Sequence, residues 1–278
     1  TYLYVLEELA WGDPGGAVSV SVHNSLPVSI LAKHGSEEQR QRWLPKMAAG
    51  EILAAFSLSE AEAGTDAAAL RTQATRDDDG WVLNGEKMWV TNGASAALVL
   101  IFARTDTSSD RKGSRGIGAF LVPTDVVGYN PGKKERKMGQ RGSETVSLSL
   151  ENVKLGHEHL IGDPSGGFSY ALEALEEGRL GIAAQALGIA SAALDEAVEY
   201  ADTRSQFGRV LRKFQGIEFK LGNMSARLEA GRGLIERAAT AHMVGDPRAR
   251  RLSSVAKLVA SETAVFATRE AVQVFGGY

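Results

Sequence analysis

Two short stretches carry side chains whose types and spacing could hold a ligand. In AFSLSEAEAGTD (55–66), hydroxyls at Ser57 and Ser59 alternate with apolar Phe56 and Leu58 in the period of a strand, and the chain then enters the small-residue turn Ala63-Gly64-Thr65. Main-chain N–H groups in such a turn can converge on an anion, although a purely structural turn has the same composition. In NGEKMWVTNG (84–93), Asn84-Gly85 predicts a hairpin turn, followed by a strand on which Trp89 and Thr91 share one face and Val90 takes the other. Side by side, the two stretches would suit an extended ligand, its flat end against the indole and its phosphate end at the turn.

Other chemistries lack their residues. There is no cysteine, which excludes disulfides, thiolate metal sites and thiol nucleophiles. No serine sits in a Gly-x-Ser-x-Gly turn, and neither a Gly-Lys-Ser/Thr phosphate loop nor a strand followed by Gly-x-Gly-x-x-Gly is present. The five histidines are scattered; His157 and His159 could share a face but have no evident third ligand, so no metal is expected. A formal charge of −3 gives no global field for a phosphate backbone, and nucleic acid is not an expected partner. Arg248, Arg250 and Arg251 read as a solvated helix face.

The elements that must position the two stretches follow from periodicity. With 278 residues, 44% of them hydrophobic, the chain can form two or three domains around sizeable cores. Residues 1–49 read as helical, broken at GDPGG, with Ser36 and Gln39 as a capping box. From residue 50 to 162 the pattern is that of strands: a hairpin in GWVLNGEKMWVTNG, a strand buried on both faces in ALVLIFAR (97–104), and an alternating strand in TVSLSLENV. These predict a β-barrel or sandwich, with the loop TDTSSDRKGSRG (105–116) as its one low-complexity segment. From 163 to 278 three long helices are expected, at about 168–203, 214–244 and 248–275, forming an antiparallel bundle; Leu172, Leu175, Ile182 and Ala186 mark the packed face of the first. No apolar run reaches the length of a membrane span. Thr1 falls within a helical pattern and the sequence closes on VFGGY, so further chain is expected on either side.

At the level of motifs the chain resembles the acyl-CoA dehydrogenase flavoproteins. KHGSEEQRQRWLPKMAAGE, SLSEAEAGTD, NGEKMWVTNG, MGQRGSET, LEEGRLGIAAQALG, RSQFG and QVFGGY occur in that family's order and spacing, over essentially the whole chain. The resemblance implies an α+β multidomain fold: the end of an N-terminal helical domain (1–49), a middle β-domain (50–162) and a truncated C-terminal helix bundle (163–278). It implies FAD as the flat ligand, with Phe56, Leu58, Ser59, Thr65, Trp89, Val90 and Thr91 along it and the Thr91 hydroxyl near flavin N5. It further implies that Arg204, Ser205, Gln206, Phe207, Phe214, Gln215, Gln273 and Gly277 reach the FAD of a neighbouring subunit in a dimer of dimers. Thr65, Ser143, Glu176 and Arg179 match positions that contact acyl-CoA, although Glu176 and Glu177 also suit a solvated helix face.

The implied reaction is α,β-dehydrogenation of a fatty acyl-CoA to a trans-2-enoyl-CoA, with electrons passed to an electron-transfer flavoprotein. Alternatives on the same fold are an acyl-CoA oxidase, a flavin monooxygenase, or a non-catalytic nucleic-acid-binding relative. One of the family's two positions for the catalytic glutamate falls here on Gly178. Glu177 lies ~100° away around the helix, so the base is expected downstream of Tyr278, as in the short- and medium-chain types. A bacterial cytoplasmic location is expected rather than a mitochondrial matrix.

Overall fold

Residues 1–106 and 113–278 are described by a computed structural model; the middle of the 105–116 loop, residues 107–112, lies outside the described residues. The chain divides into two compact units, residues 19–175 and the pair of segments 1–18 and 176–278. Residues 1–18 belong with the C-terminal helices, while 19–49 belong with the strands.

In the unit 19–175, helices α3 (Ser29–His34) and α4 (Glu37–Ala48) follow the end of α2 (Pro14–His23) and a single π turn, Asn24–Val28. The α4 N-terminus is a capping box: Gln39 N–H donates to Ser36 Oγ and Ser36 N–H to Gln39 Oε1. The Gln39 amide continues inward to the carbonyls of Glu158 and Leu160 at 2.7 and 2.9 Å, so the cap also anchors the helix to the strands.

The strands are β1 (Ala54–Ser57), β2 (Gln73–Arg76), β3 (Gly80–Thr91), β4 (Leu98–Arg104), β5 (Ile117–Pro123), β6 (Tyr129–Pro131), β7 (Thr145–Gly156) and β8 (Leu160–Ile161). They form one sheet in the order β6-β7-β3-β2-β4-β5-β8, with β1 parallel to the first half of β4. Every residue from Leu98 to Ala103 is buried, and the alternation of β4 explains how: Val99, Ile101 and Ala103 share a core with Trp81, Leu83, Val146 and Leu148, while Leu98, Leu100 and Phe102 share another with Ile30, Leu31, Met47 and Ala171. One face of the sheet thus closes on itself, and the other is covered by helices.

The expected hairpin at Asn84-Gly85 is not formed. β3 runs unbroken through both residues, and the tight turn lies at 77–80, where Asp77 N–H meets Gly80 O at 3.0 Å. Asn-Gly serves here as a bulge, with a register shift against β7 between Leu83 and Gly85. Gly85 has φ +147°, and a Cβ at this position would lie 2.7 Å from Thr72 Cα, so only glycine lets β3 pass so close to the start of β2.

In the other unit, α1 (Tyr2–Gly12), the residues of α5 (Gly167–Thr203) from 176 onward, α6 (Gln215–Met243) and α7 (Ala249–Phe275) share an alanine-rich core. Alanine permits close approach, taken furthest at Gly188, where a Cβ would meet Glu7 O at 2.1 Å. Between α5 and α6 lies the hairpin of β9 (Ser205–Gln206) and β10 (Arg209–Val210), turned by Phe207 and Gly208 with φ +52° and +76°. Among the described residues no helix is long and apolar enough to cross a membrane.

His23 joins α2 to the head of β1: its Nδ1 accepts from Ala54 N–H at 2.9 Å, and its Nε2 therefore carries the proton that faces Met47 O at 3.3 Å. Both bonds need the neutral ring, and burial holds its pKa below the ordinary 6.5. The unfolded chain takes up a proton near 6.5 while the folded chain does not, so this contribution is complete above that pH and is lost as the pH falls through and below it. The urea midpoint should drop between pH 7.5 and 5.5, and His23→Gln should make that drop smaller; an equal drop in the variant would show that His23 is not its source.

Candidate functional site

Within the unit 19–175 a cleft of about 460 Å³ opens beside β3. One wall is Met88, Trp89 and Thr91; the floor is Phe56, Leu58 and Ser59 from β1 and its extension; a second wall is the segment from Gly64 to Ala68; apolar residues Leu26, Phe168, Leu172 and Leu175 complete it. Its size is ordinary for a cofactor or small-molecule site, and its lining is mostly apolar with a few hydroxyls.

The first wall owes its shape to an irregularity. Between Lys87 and Val90 the register of β3 slips against β7, and Trp89 has φ +60°. For a bulky residue this is a costly backbone, of order 1–3 kcal/mol. Strict alternation would send Met88 and Trp89 to opposite faces; the slip brings both to the cleft, leaves the indole 60% exposed, and returns Val90 to the sheet core at 1%. Thr91 is then held by the turn that succeeds it. The Glu144 carboxylate accepts from Ala94 N–H at 2.7 Å, Ser95 N–H at 3.0 Å and Ser95 Oγ at 2.9 Å, and Asn92 N–H donates to Glu144 O. Burial alone would raise the Glu144 carboxyl, but these donors and Lys134 outweigh it and hold the pKa low.

The structure brings Phe56, Leu58, Ser59, Thr65, Trp89 and Thr91 to one cleft. Val90 is the exception among the residues expected there: its side chain packs with Val146 and Leu83, so it offers a ligand only its main chain. Residues without a signal of their own in the sequence are Met88, brought in by the slip, and Val22, Leu26 and Phe168. Leu172 and Leu175, expected on a packed helix face, both line the cleft; Leu175 also packs against the helix-covered core, while Leu172 is 39% exposed. Ser143 is buried in the loop before β7; its Oγ and that of Ser57 have no protein partner among the described residues.

The other expected positions belong to the helical unit. Arg204, Gln206, Phe207, Gln215, Gln273 and Gly277 are all exposed, and Phe207, at the hairpin tip, is 94% exposed. Arg204 stacks over the Tyr278 ring at 5.6 Å and Arg209 over Phe214 at 4.0 Å, which leaves two guanidinium charges beside aromatic faces. Glu176 is not simply solvated, since Arg250 binds it at 2.9 Å; Arg248 likewise pairs with Asp246 at 2.7 Å. Arg179 Nη1 is buried without a partner among the described residues, and Gly178 beside it carries no side chain. Among the described residues no three His, Asp or Glu side chains are gathered as for a metal, and His159 bonds to Leu121 O.

A helical segment, a sheet bearing this cleft and a helix bundle, in that order, define a class. The N-terminal, middle and C-terminal domain descriptions of acyl-CoA dehydrogenases match residues 1–51, 55–153 and 165–278. The chain belongs to the acyl-CoA dehydrogenase family. It is similar to the short-chain specific acyl-CoA dehydrogenase of Megasphaera elsdenii, 44% identical over 279 residues, covering 100% of this chain and 72% of the relative. A glutaryl-CoA dehydrogenase of Mycobacterium smegmatis, solved in complex with FADH2, matches with a TM-score of 0.89 at 36% identity, over 98% of this chain and 68% of that one. A chain in the structure described as the electron transferring flavoprotein of Acidaminococcus fermentans, towards a mechanism of flavin-based electron bifurcation, matches with a TM-score of 0.96 at 41% identity, over 100% and 72%.

Proposed function

We propose that the protein is an FAD-dependent dehydrogenase of short-chain acyl-CoA thioesters, forming trans-2-enoyl-CoA and passing electrons to an electron-transfer flavoprotein. The observation that carries this reading is Trp89: a bulky residue kept in a left-handed backbone with its indole exposed on a cleft is strain retained for a ligand's flat face. The similarity to a dehydrogenase solved with FADH2 and to a short-chain enzyme supports the choice of flavin and of substrate.

The residues fit the group. Trp89 and Met88 offer an apolar wall to a ring system, and Phe56 and Leu58 a floor. The Thr91 hydroxyl supplies a donor, and the exposed turn at Gly64-Thr65 supplies N–H groups for a pyrophosphate. FAD, when bound, supplies the ring that accepts hydride from the β-carbon. The chain's own part is to hold the thioester, to keep water from an apolar cleft, and to place a carboxylate at the α-proton. Gly178 cannot be that carboxylate, and Glu176 is engaged by Arg250. We place the base outside residues 1–278 and assign Glu177 no part in proton transfer.

Arg204, Gln206 and Phe207 on the hairpin, with Gln215, Gln273 and Gly277, are proposed to serve the FAD of a neighbouring subunit in a dimer of dimers. Their exposure and the paired guanidinium and aromatic faces suit a dinucleotide. Ser143 and Arg179 are proposed to meet the acyl-CoA. A bacterial cytoplasmic location accords with the Megasphaera relative, and a fluorescently tagged copy would test it.

Anaerobic addition of butyryl-CoA to the intact protein should bleach its flavin, and a spectrum unchanged by any short-chain thioester would overturn the reading. In the same assay Glu177→Gln should reduce its flavin at close to the parent rate; abolition of reduction by that change would make Glu177 the base. Thr91→Val should shift the flavin spectrum and slow reduction about tenfold, the effect of one lost hydrogen bond of about 1.4 kcal/mol; an unaltered spectrum and rate would make the hydroxyl structural. Arg204→Ala should weaken flavin retention only in the associated species seen by sedimentation, whereas a stable flavin-bearing monomer would contradict a shared site.

A further inference from the structure

Lys87 is among the largest side chains to be wholly buried among the described residues, and none of the roles assigned above uses it. It precedes Met88 and the strained Trp89 on β3 and pairs in register with Leu148 of the sheet core, just before the slip that turns the indole outward. Its Nζ donates to Glu60 Oε1 at 2.8 Å and to Leu58 O at 3.1 Å. Next to it Met88 N–H donates to Ser59 O at 2.9 Å.

The Glu60 carboxylate collects more than the lysine. Arg71 N–H donates to Oε2 at 2.6 Å, while Thr72 N–H and Thr72 Oγ1 donate to Oε1 at 3.0 and 2.6 Å. Residues 60 and 72 are the two ends of the loop that forms the cleft's second wall, so one carboxylate closes that loop at both ends. Within the loop the main-chain bonds are few, chiefly the pair between Glu60 and Ala63 and a short turn at Ala67–Ala69; one further anchor is Arg104, which donates to Ala68 O at 2.8 Å. Burial pushes the Lys87 ammonium down to about 8, with Glu60 pulling the other way; burial would raise the Glu60 carboxyl, but Lys87 and the Thr72 and Arg71 donors outweigh it and keep it below its usual range.

An ion pair whose only task was stability would be replaceable by apolar side chains of similar volume, often without loss. This pair has another geometry: it ties the wall at 64–68 to the strand that carries Met88, Trp89 and Thr91. We propose that Glu60 and Lys87 are a positioning pair that sets the spacing between the two walls of the cleft, and with it the affinity and environment of the flavin. This rests on the reading of the cleft as the FAD site.

The test separates spacing from stability. Glu60→Gln with Lys87→Met in the intact protein removes both charges and keeps both volumes, so the unfolding midpoint should return close to the parent's, above either single variant. FAD should nevertheless bind about tenfold or more weakly, with a shifted visible spectrum, and the amides of residues 61–70 should exchange faster with solvent. Recovery of FAD affinity and spectrum together with stability, and unchanged exchange at 61–70, would overturn the proposal. Thr72→Val, which removes one donor to Glu60 and no charge, gives a milder version that decides the matter if the double variant does not fold: faster exchange at 61–70 with weaker FAD binding supports the pair's role, and no change in either overturns it. If the intact parent takes up no FAD, the reading of the cleft fails, and amide exchange in the same variants still decides whether the pair sets the loop.

Discussion

A strand can present large side chains on one face only by sending its neighbours to the other, and the cleft asks β3 for something that alternation forbids. Met88 and Trp89 are consecutive, yet both face outward, while Lys87 and Val90 on either side face in. The register slip between Lys87 and Val90 resolves the conflict, with the backbone of Trp89 absorbing the difference at φ +60°. Much else in the unit 19–175 serves to hold that slip. Val90 is packed in the sheet core on one side, Glu144 fixes the turn beyond Thr91, and Lys87 is bound to the loop below. A bulge that was free to relax would recover the strain energy and lose the exposed indole.

The electrostatic cost falls on Lys87. Burying an ammonium costs several kcal/mol, and the attraction of one carboxylate offsets it only when the remaining lone pairs are satisfied. They are satisfied at Glu60, through Thr72 and the Arg71 N–H. Removing one partner alone would leave the other charge uncompensated, at a cost of about 3–5 kcal/mol. The pair is therefore a poor choice for stability and a good one for geometry, since a charge with several directed bonds tolerates less displacement than an apolar contact.

What could be read from the sequence was whatever the chain decides locally. The Ser36–Gln39 capping box, the three long helices and the doubly buried strand at 98–103 depend on neighbours within a few residues, and all lie where periodicity and capping put them. The cleft's own residues were legible in large part because Phe56, Leu58, Ser59 and Thr65 follow a strand and turn, and because motifs of the family lie over them. The rest depends on partners distant in the chain. Asn84-Gly85 suits a type I′ turn and a bulge alike, and Thr72, which decides between them, is not part of the hairpin pattern. A lysine between Glu86 and Met88 reads as surface, because its acceptor lies 27 residues earlier. Leu172 and Leu175 have the spacing of a helix core, and only the folded chain shows that Leu175 keeps a packing partner while Leu172 faces a cleft.

The helical unit is discontinuous in sequence, and this orders events in time. Leu6 and Ala10 on α1 are buried among residues of α5 and beyond, with the closest approach at Gly188. Between Ala10 and Gly188 the ribosome must add the entire unit 19–175, which at about 5–20 residues per second takes on the order of 10–40 s. For that interval α1 has been made and its partner has not. The strand unit is contiguous and can close its own core during the wait, whereas the apolar side of α1 stays open to water and to any chaperone that recognises such a helix.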